Sequence, residues 1–461
     1  MKKQHNSHVA TDRGKLSRWN FVVLVLLSVG AIGFVSTFVF LTYTDSFIST
    51  FLKGQITSAF QETYPAYSIR VGGVHYNISE NRIGFDSLAL TTMDSTLSCT
   101  IAAYSVNGID WLELLWTRDL APTAFTGTVL NAHEIVVYFL KDQYELRCGS
   151  LRASVPDSEI VVDALELHPL GDDEQFFAGS KFRKTRFRLR VPNARVMGLA
   201  CLELLQGKIY RTRSAHMYDA FIDMLTNKEK PVAEDTSSPP MPNEFFALIE
   251  QTIEVDSLNI WNGGAKYGER VAADSEPAVI TLDRIQVSVR GIGNHIDTSD
   301  TVVIRAQGEF MKSAQMNVLM SIPISSPVFS LRYSGSLGGM KLSALNPFLD
   351  PAEQVRVKSG SLQAGSFDID VTAGHARGSV RAVYKDLTIA AINKHTGDEN
   401  GMVDVIASFV ANNIKVRTNN VPDNSGAMKI GNVKYTRQRD DPFFRFVWFA
   451  LRSGVGDVVG L

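Results

Sequence analysis

Two short segments of the chain resemble parts of metal or cofactor motifs. His133-Glu134 begins like the zinc-protease pattern, in which a second histidine three residues after the glutamate completes the metal site, but Val137 occupies that place. Gly291-Ile292-Gly293 has two glycines of a dinucleotide-binding turn and lacks the third. Because residues 129–140 have a strand pattern, we interpret His133-Glu134 as structural and predict no metal site.

The serines that follow glycines are the remaining candidates for a nucleophile. Ser150, Ser336 and Ser361 stand in Gly-Ser-Leu contexts, without the second glycine of a nucleophile elbow. The sequence has no G-x-x-x-x-G-K phosphate loop, and no pair of carboxylates stands out for acid–base work. We therefore predict no catalytic residues and no cofactor, and we expect that the protein is not an enzyme.

Three cysteines complete the set of reactive side chains. Cys99, Cys148 and Cys201 lie about 50 residues apart, a spacing that fits neither a disulfide framework nor a metal-ligand cluster. We expect three buried thiols. A single bridge in an oxidising compartment is the alternative.

The most basic stretch of the chain is residues 181–190. In strand geometry Arg186, Arg188 and Arg190 share one face, while the phenylalanine and leucine between them occupy the other. Such a row of charges is typical of an outer strand face or a sheet edge, and contact with lipid phosphates or an acidic partner is the alternative. The net charge of −2 gives no basic excess, so we expect no nucleic-acid partner.

Residues 21–43 are 23 consecutive positions without a charged side chain. As a helix they would span about 34 Å, enough to cross a bilayer with some tilt. Trp19 and Tyr43 stand at the two ends, and the preceding residues carry five Lys and Arg against one acidic residue. This pattern predicts a cytoplasmic tail over 1–18 and a single-pass signal anchor over 19–43. A cleaved signal peptide would need a shorter apolar core and a small-residue cleavage site.

The remaining 400 or so residues are strand-like, apart from a few helical stretches. Residues 46–63 have an apolar stripe at helical spacing, which we expect to pack on the sheet rather than lie along the membrane surface. From Ser68 the apolar residues alternate with polar ones, which predicts a mainly β fold: a long, twisted antiparallel sheet with short helical inserts. We predict such inserts at 110–116, at 196–208 continuing into 214–225, and at 402–413.

Residues 226–242 are polar and proline-rich and form the best candidate for a linker. They would divide a β-rich region over 44–225 from a second one over 243–461. That second region ends in a run that is apolar nearly all round and too short to span a membrane. We expect this run to plug one end of a groove, with docking to a partner or an opposing membrane as the alternative. Its apolar members are Phe443, Phe444, Phe446, Val447, Trp448, Phe449 and Leu451.

The order of motifs in the second region resembles the AsmA-like family of membrane-anchored envelope proteins. The family pattern has an Asn-Pro pair before an apolar residue, a strand with a central Ser-Gly, and a glycine-containing strand that closes in Tyr-x-Asp-Leu. The matching residues are Asn346, Pro347, Phe348, Ser359, Gly360, Gly378, Tyr384, Asp386 and Leu387. The resemblance extends over nearly the whole chain, but each motif is short and degenerate.

The resemblance implies an open, twisted sheet folded into a groove with an apolar interior, similar to the bridge-like lipid-transfer proteins. It implies an inner-membrane protein whose bulk is periplasmic, which handles phospholipid or takes part in envelope biogenesis. The alternatives are an envelope scaffold or assembly factor that binds protein partners, and a helper of surface polysaccharide export. Inward apolar positions that could line the groove are Ile83, Phe85, Ile285, Val287, Val289, Phe367 and Ile369.

Overall fold

The computed structural model of the protein describes Lys53, Thr57 and residues 66–460, except 78, 111–121, 206–208, 234–237, 273–274, 295–300, 393–415 and 440. The predicted anchor at 19–43, the insert at 402–413 and, apart from Asp110, the insert at 110–116 therefore lie outside the described residues. Of the segment 46–63, only Lys53 and Thr57 are described, and both are helical. No helix in the described part of the chain is long and apolar enough to cross a membrane.

In the part of the chain that the structure describes, twenty strands form a single sheet, and the fold is mainly β as the sequence predicts. The first nine strands are β1 (Tyr67–Val71), β2 (Val74–Asn77), β3 (Arg82–Phe85), β4 (Leu88–Thr92), β5 (Leu97–Asn107), β6 (Val129–Phe139), β7 (Tyr144–Ser154), β8 (Glu159–Pro169) and β9 (Thr185–Met197). The next six are β10 (Ile209–Tyr218), β11 (Phe221–Asn227), β12 (Thr252–Arg270), β13 (Ala278–Gly293), β14 (Thr301–Phe310) and β15 (Ala314–Pro323). The last five are β16 (Ser330–Leu337), β17 (Met340–Lys341), β18 (Val355–Thr372), β19 (His375–Ala391) and β20 (Gly431–Thr436).

Most neighbours in the sheet are consecutive in the chain and antiparallel. At the N-terminal end β1 pairs with β4 and β2 pairs with β3, and both β3 and β4 pair with β5. From β5 the pairing continues through β6, β7 and β8 to β9. From β12 it continues through β13, β14, β15, β16, β18 and β19 to β20.

The prediction of a wholly antiparallel sheet is wrong at one junction. Both β10 and β11 pair with β9 on one side and lie parallel to β12 on the other. Residues 228–251 return the chain from the end of β11 to the start of β12, and such a crossover makes neighbouring strands parallel. The predicted linker lies in this connection, and one sheet continues on both sides of it. The division into two regions stays a prediction.

Among the described residues, four short α-helices lie between strands and a longer one follows the last strand: α1 (Asp173–Ala178), α2 (Cys201–Leu205), α3 (Pro242–Ala247), α4 (Asn346–Glu353) and α5 (Phe443–Val459). A capping box closes the start of α1, where Asp172 accepts a hydrogen bond from the Gln175 backbone N–H at 2.8 Å. Helix α5 begins after Pro442 and ends at Gly460, whose φ of 88° is the left-handed conformation that glycine adopts without strain.

The helical insert predicted at 196–208 is confirmed over α2, whereas residues 196–197 belong to β9. Its predicted continuation into 214–225 is wrong. Residues 214–218 and 221–225 are strands, not a continuation of that helix. The segment contains apolar residues at helical spacing, but pairing with both β9 and β12 satisfies its backbone groups and decides the conformation.

A line of left-handed residues crosses the sheet from β6 to β13. Glu134, Ala164, Asp219, Asn262 and Arg284 have φ between 51° and 55°. Glu134 and Ala164 stand on either side of Gly149 and leave it without a register partner. The register shifts beside Asn262 and Arg284, as at a β-bulge, whereas it continues unchanged past Glu134 and Ala164. Both residues of His133-Glu134 are exposed.

The largest hydrophobic core lies at the C-terminal end of the sheet, where α4 and α5 cover one face. The Tyr333 hydroxyl donates to the Val447 carbonyl of α5 at 3.0 Å, and Phe446 contacts the rings of Phe329 and Tyr435. Gly431 and Gly454 allow close approach, because a Cβ on Gly431 would lie 2.0 Å from the Gly454 carbonyl oxygen. A smaller core at the N-terminal end contains Val71, Val74, Ile83 and Phe85.

Candidate functional site

The strand registers align side chains into continuous rows across the sheet. Directly paired residues point to the same face, so a row can be followed from ladder to ladder. The first row crosses 16 strands, β2, β3, β5–β10, β12–β16 and β18–β20, and every member is apolar, aromatic or glycine. It consists of Val74, Phe85, Tyr104, Ala132, Leu151, Val162, Ala194, Met217, Ile260, Val287, Ala306, Val318, Gly335, Phe367, Val380 and Gly431.

A second row of the same composition runs beside the first on the same face. Its members are Tyr76, Ile83, Val106, Leu130, Ala153, Ile160, Val196, Ala215, Leu258, Val289, Ile304, Met320, Tyr333, Ile369, Gly378 and Val433. The residues between the two rows point to the opposite face. They are polar or charged in every strand except at Gly84, Val161 and Leu319. The sheet therefore has one apolar face and one polar face along its whole length.

Burial changes along the apolar face. At its two ends the rows enter the hydrophobic cores, where Phe85 and Ile369 are buried. From β7 to β14 every member of both rows is half-buried. We call these residues the apolar trough: Leu151, Ala153, Ile160, Val162, Ala194, Val196, Ala215, Met217, Leu258, Ile260, Val287, Val289, Ile304 and Ala306. Seven strand positions at about 4.8 Å give the trough a length of about 29 Å.

All seven groove candidates from the sequence lie on the apolar face, but not in the same surroundings. Val287 and Val289 are in the trough, and Ile285 lies two residues from Val287 in the same strand and is half-buried. Val289 also packs against the C-terminal core, as does Ile304 of the trough, and the other four candidates belong to or pack against the closed cores. These four are Ile83 and Phe85 at the N-terminal end and Phe367 and Ile369 at the C-terminal end.

The most informative trough residues escaped the sequence prediction. Ala215 and Met217 lie near its middle, in the segment that we predicted to be a helix. The signal was present, because apolar Ala215 and Met217 alternate with polar Ser214 and His216. Leu258 lies opposite Ala215, on the far side of the parallel junction.

The Asn-Pro motif holds α4 against β18. The Asn346 side chain accepts from the Val357 backbone N–H at 2.8 Å and donates to the Val357 carbonyl at 3.0 Å. Pro347 lies in the first turn, and Phe348 is buried in the interface with the sheet. These three residues therefore act in folding, with no group presented to a ligand.

The Ser-Gly and Tyr-x-Asp-Leu motifs lie opposite each other in a bulge between β18 and β19. Ser359 donates to the Asp386 carbonyl at 2.7 Å, and a Cβ on Gly360 would lie 3.0 Å from Leu387 Cα. Asp386 has a left-handed φ of 57°. The register shifts at this point, so the motif residues shape the strand pair.

Two further motif residues allow close packing nearby. A Cβ on Gly378 would lie 2.2 Å from the Asp368 carbonyl oxygen, so a larger side chain has no room there. Tyr384 is buried, and its hydroxyl donates to the Arg417 carbonyl at 2.9 Å. All nine motif residues thus have structural roles.

The arginine row on β9 is neither at a sheet edge nor uniformly exposed. Arg186 is 3% exposed and bridges Asp173 of α1 at 3.0 Å and Asp223 of β11 at 3.1 Å. Arg188 contacts the same Asp173 at 2.7 Å. Strand β9 pairs on both sides, so the prediction of an edge is wrong. The guanidinium of Arg186 is thus engaged in ion pairs within the protein. Arg190 is the exposed member of the row.

The three cysteines are free thiols. Cys148 is buried and Cys99 and Cys201 are half-buried, so the expectation of three buried thiols holds fully only for Cys148. Burial raises the pKa of all three, which keeps them protonated and weakly nucleophilic at neutral pH. The described part of the chain contains no cluster of His, Cys, Asp and Glu able to hold a metal ion.

Helix α5 packs on the apolar face through Phe446, Ala450, Gly454 and Val458. Its opposite side carries Phe444, which is 80% exposed, and the exposed Trp448 and Val455. The helix therefore covers the C-terminal end of the face and presents a second apolar stripe outward.

Comparison with known proteins adds no relative to this picture. No protein-family model matches the chain, and no curated protein matches it significantly. The family resemblance rests on the short motifs alone.

Proposed function

We propose that this protein binds the acyl chains of phospholipids along the apolar trough and takes part in lipid transport or envelope biogenesis. In this proposal residues 19–43 anchor it in the inner membrane, and the sheet lies in the periplasm. The observation that carries the proposal is the pair of unbroken apolar rows, half-buried from β7 to β14. The proposed AsmA-like relationship agrees with this function.

The energetics favour an apolar ligand over water on this surface. Removing apolar area from water gains about 25 cal/mol per Å2, or about 0.8 kcal/mol for each methylene group. A continuous apolar surface that is only half-buried over seven strands is typical of a binding site. An acyl chain spans about half of the ~30 Å hydrocarbon core of a bilayer, so a trough of about 29 Å is long enough for a whole acyl chain.

The alternative is an envelope scaffold that binds protein. It is favoured by the cover that α4 and α5 provide over the C-terminal end of the face, where Met320, Tyr333 and Ile369 are buried. A lipid path along the whole sheet would require these helices to move, whereas a scaffold would not. The two functions differ in what occupies the trough.

Site-specific photo-crosslinking in cells distinguishes them. A photoreactive phenylalanine analogue replaces Met217 or Leu258 in the trough of the full-length chain. The matched controls are His216, which precedes Met217, and Asn259, which follows Leu258. Both controls point to the polar face and pair with each other. Adducts are identified by mass spectrometry.

Lipid transport predicts phospholipid adducts at Met217 and Leu258 and none at His216 and Asn259. Protein adducts at the trough positions would contradict lipid transport and support the scaffold function. Equal lipid labelling on both faces, or labelling on neither, would contradict a lipid-binding trough. Phe85 is a poor test residue because its burial in the N-terminal core makes a polar substitution disruptive.

A further inference from the structure

The polar face carries a cleft that the proposed lipid function does not use. It has a volume of about 650 Å3 and crosses β12 to β18. Residues of the first apolar row lie along its middle, and their strand neighbours, which point to the polar face, form its two walls. Members of these walls include Asn259, Gln286, Arg305, Gln307, Asn317 and Ser336.

The walls are dominated by neutral amides and hydroxyls. Gln307 Nε2 donates to Gln286 Oε1 at 2.6 Å, and Asn317 Nδ2 donates to Ser336 Oγ at 3.3 Å. Each amide carries both a donor and an acceptor. Within the described chain, Gln307 Oε1 and Gln286 Nε2 have no protein partner, so both are available to a ligand in the cleft. A wall of this kind matches a ligand rich in hydroxyl groups.

Aromatic rings stand at one end of the cleft. Trp261 is 44% exposed, and its indole Nε1 donates to His216 Nδ1 at 3.4 Å. His216 in turn stacks on Tyr218, with ring centroids 6.4 Å apart and planes 18° from parallel. These contacts hold the rings in place, while Trp261 and Tyr218 remain exposed. An exposed, fixed ring face suits the C–H face of a sugar ring.

The charge of the cleft argues against an anionic ligand. Arg305 and Asp368 are its charged lining residues, and Asp368 is paired with Arg332 at 3.2 Å. Recognition of phosphate or sulfate groups typically uses several convergent basic side chains, which the cleft lacks. Lipid tails are disfavoured as well, because they would displace water from polar amides without replacing their hydrogen bonds.

From these observations we propose that the cleft binds a short neutral oligosaccharide. Trp261 stacks on one sugar ring, and Gln286, Gln307 and Asn317 hydrogen-bond to hydroxyls of the neighbouring rings. A volume of about 650 Å3 lies within the usual range of ligand pockets. The site is on the opposite face from the trough, so it does not depend on the lipid proposal.

The test uses the full-length chain in a detergent without a sugar headgroup. Saturation-transfer NMR and calorimetry measure the binding of maltotriose, cellotriose and triacetylchitotriose, with inorganic phosphate as the anionic comparison. We expect at least one trisaccharide to bind saturably. Trp261→Ala and Gln307→Ala should each weaken that binding at least about tenfold. Trp448→Ala is the matched control, since Trp448 is 43% exposed but belongs to α5.

Three results would overturn the proposal: no binding by any of the trisaccharides, binding that Trp261→Ala leaves unchanged, or binding of phosphate alone. An unfolded Trp261→Ala variant is recognised by its circular dichroism, and Gln307→Ala, which removes an exposed side chain, then decides the matter.

Discussion

Single residues on this sheet take conformations or charges that the surrounding structure must stabilise. Arg186 is only 3% exposed, and its guanidinium lies between the carboxylates of Asp173 and Asp223. Glu134 and Ala164 adopt left-handed backbone that non-glycine residues avoid at a cost of roughly 1–2 kcal/mol. Two predictions follow from these residues.

Arg186→Ala should lower the free energy of unfolding by about 3 kcal/mol, because it leaves two carboxylates without their buried partner. Arg190→Ala is the control, since Arg190 is exposed in the same strand and should change stability by less than about 0.5 kcal/mol. Chemical denaturation measures both. Similar losses for the two variants would refute a special role of the buried ion pair.

Ala164→Gly should stabilise the protein by up to about 1 kcal/mol, because glycine adopts φ of 51° without the steric penalty of a Cβ. Ala153→Gly, in the regular part of β7, should instead destabilise it by about 0.5–1 kcal/mol. Thermal unfolding distinguishes the two effects, because the midpoint should rise in Ala164→Gly and fall in Ala153→Gly. A loss of stability in Ala164→Gly would argue against the left-handed conformation of residue 164.

At the scale of elements, α5 determines how much of the apolar face is open. It is held by apolar packing along its length and by a polar contact near its C-terminal end. There, Asp457 accepts from the Asn432 backbone N–H at 2.8 Å and pairs with Lys429 at 2.8 Å. Asn432 lies in β20 and Lys429 lies two residues before it, so both contacts connect α5 to this part of the sheet.

The contact of Asp457 makes the docking of α5 sensitive to acid. The hydrogen bond from Lys429, followed by that from the Asn432 N–H, lowers the pKa of Asp457 below its ordinary 3.8. A carboxylate with a lowered folded pKa stabilises fully above its unfolded pKa, and this contribution is lost as pH falls through the folded pKa. The stability difference between the wild type and Asp457→Asn should therefore shrink between about pH 5 and about pH 2. A difference that stayed constant with pH would exclude this contact as the cause.

On the scale of the whole molecule, the two apolar rows connect closed cores through an open middle. Their composition is the same throughout, so only the cover differs between the trough and the ends. A polar substitution should lower the free energy of unfolding more where the apolar face is covered than where it is open. The size of this loss therefore measures how open the trough is.

Ile369→Asn should cost about 4 kcal/mol, because Ile369 is fully buried beneath the C-terminal core and the amide would lack partners. Leu258→Asn, in the same row but in the trough, should cost about 1 kcal/mol in lipid-free protein, since water can reach the amide. Equal costs at the two sites would mean that the trough is covered.

The predictable part of this fold is local. Alternation of apolar and polar side chains depends only on the period of two along a strand, so the mainly β fold and the common face of Val287 and Ile369 could be read from the sequence. The nine motif residues were recognisable by their types and spacing. Their structural roles were not, because the contacts of Asn346 with Val357 and of Ser359 with Asp386 form only after the strands and α4 pack together.

The remaining features depend on contacts between distant parts of the chain. Residues 214–225 fit a helical pattern nearly as well as a strand pattern, and pairing with β9 and β12 decided between them. The parallel junction, the line of left-handed residues and the cover by α5 likewise arise from which strands become neighbours, and neighbours are chosen by non-local packing. The sequence by itself thus determined that the sheet has an apolar and a polar face. Only the tertiary structure decided which stretch of the apolar face stays open.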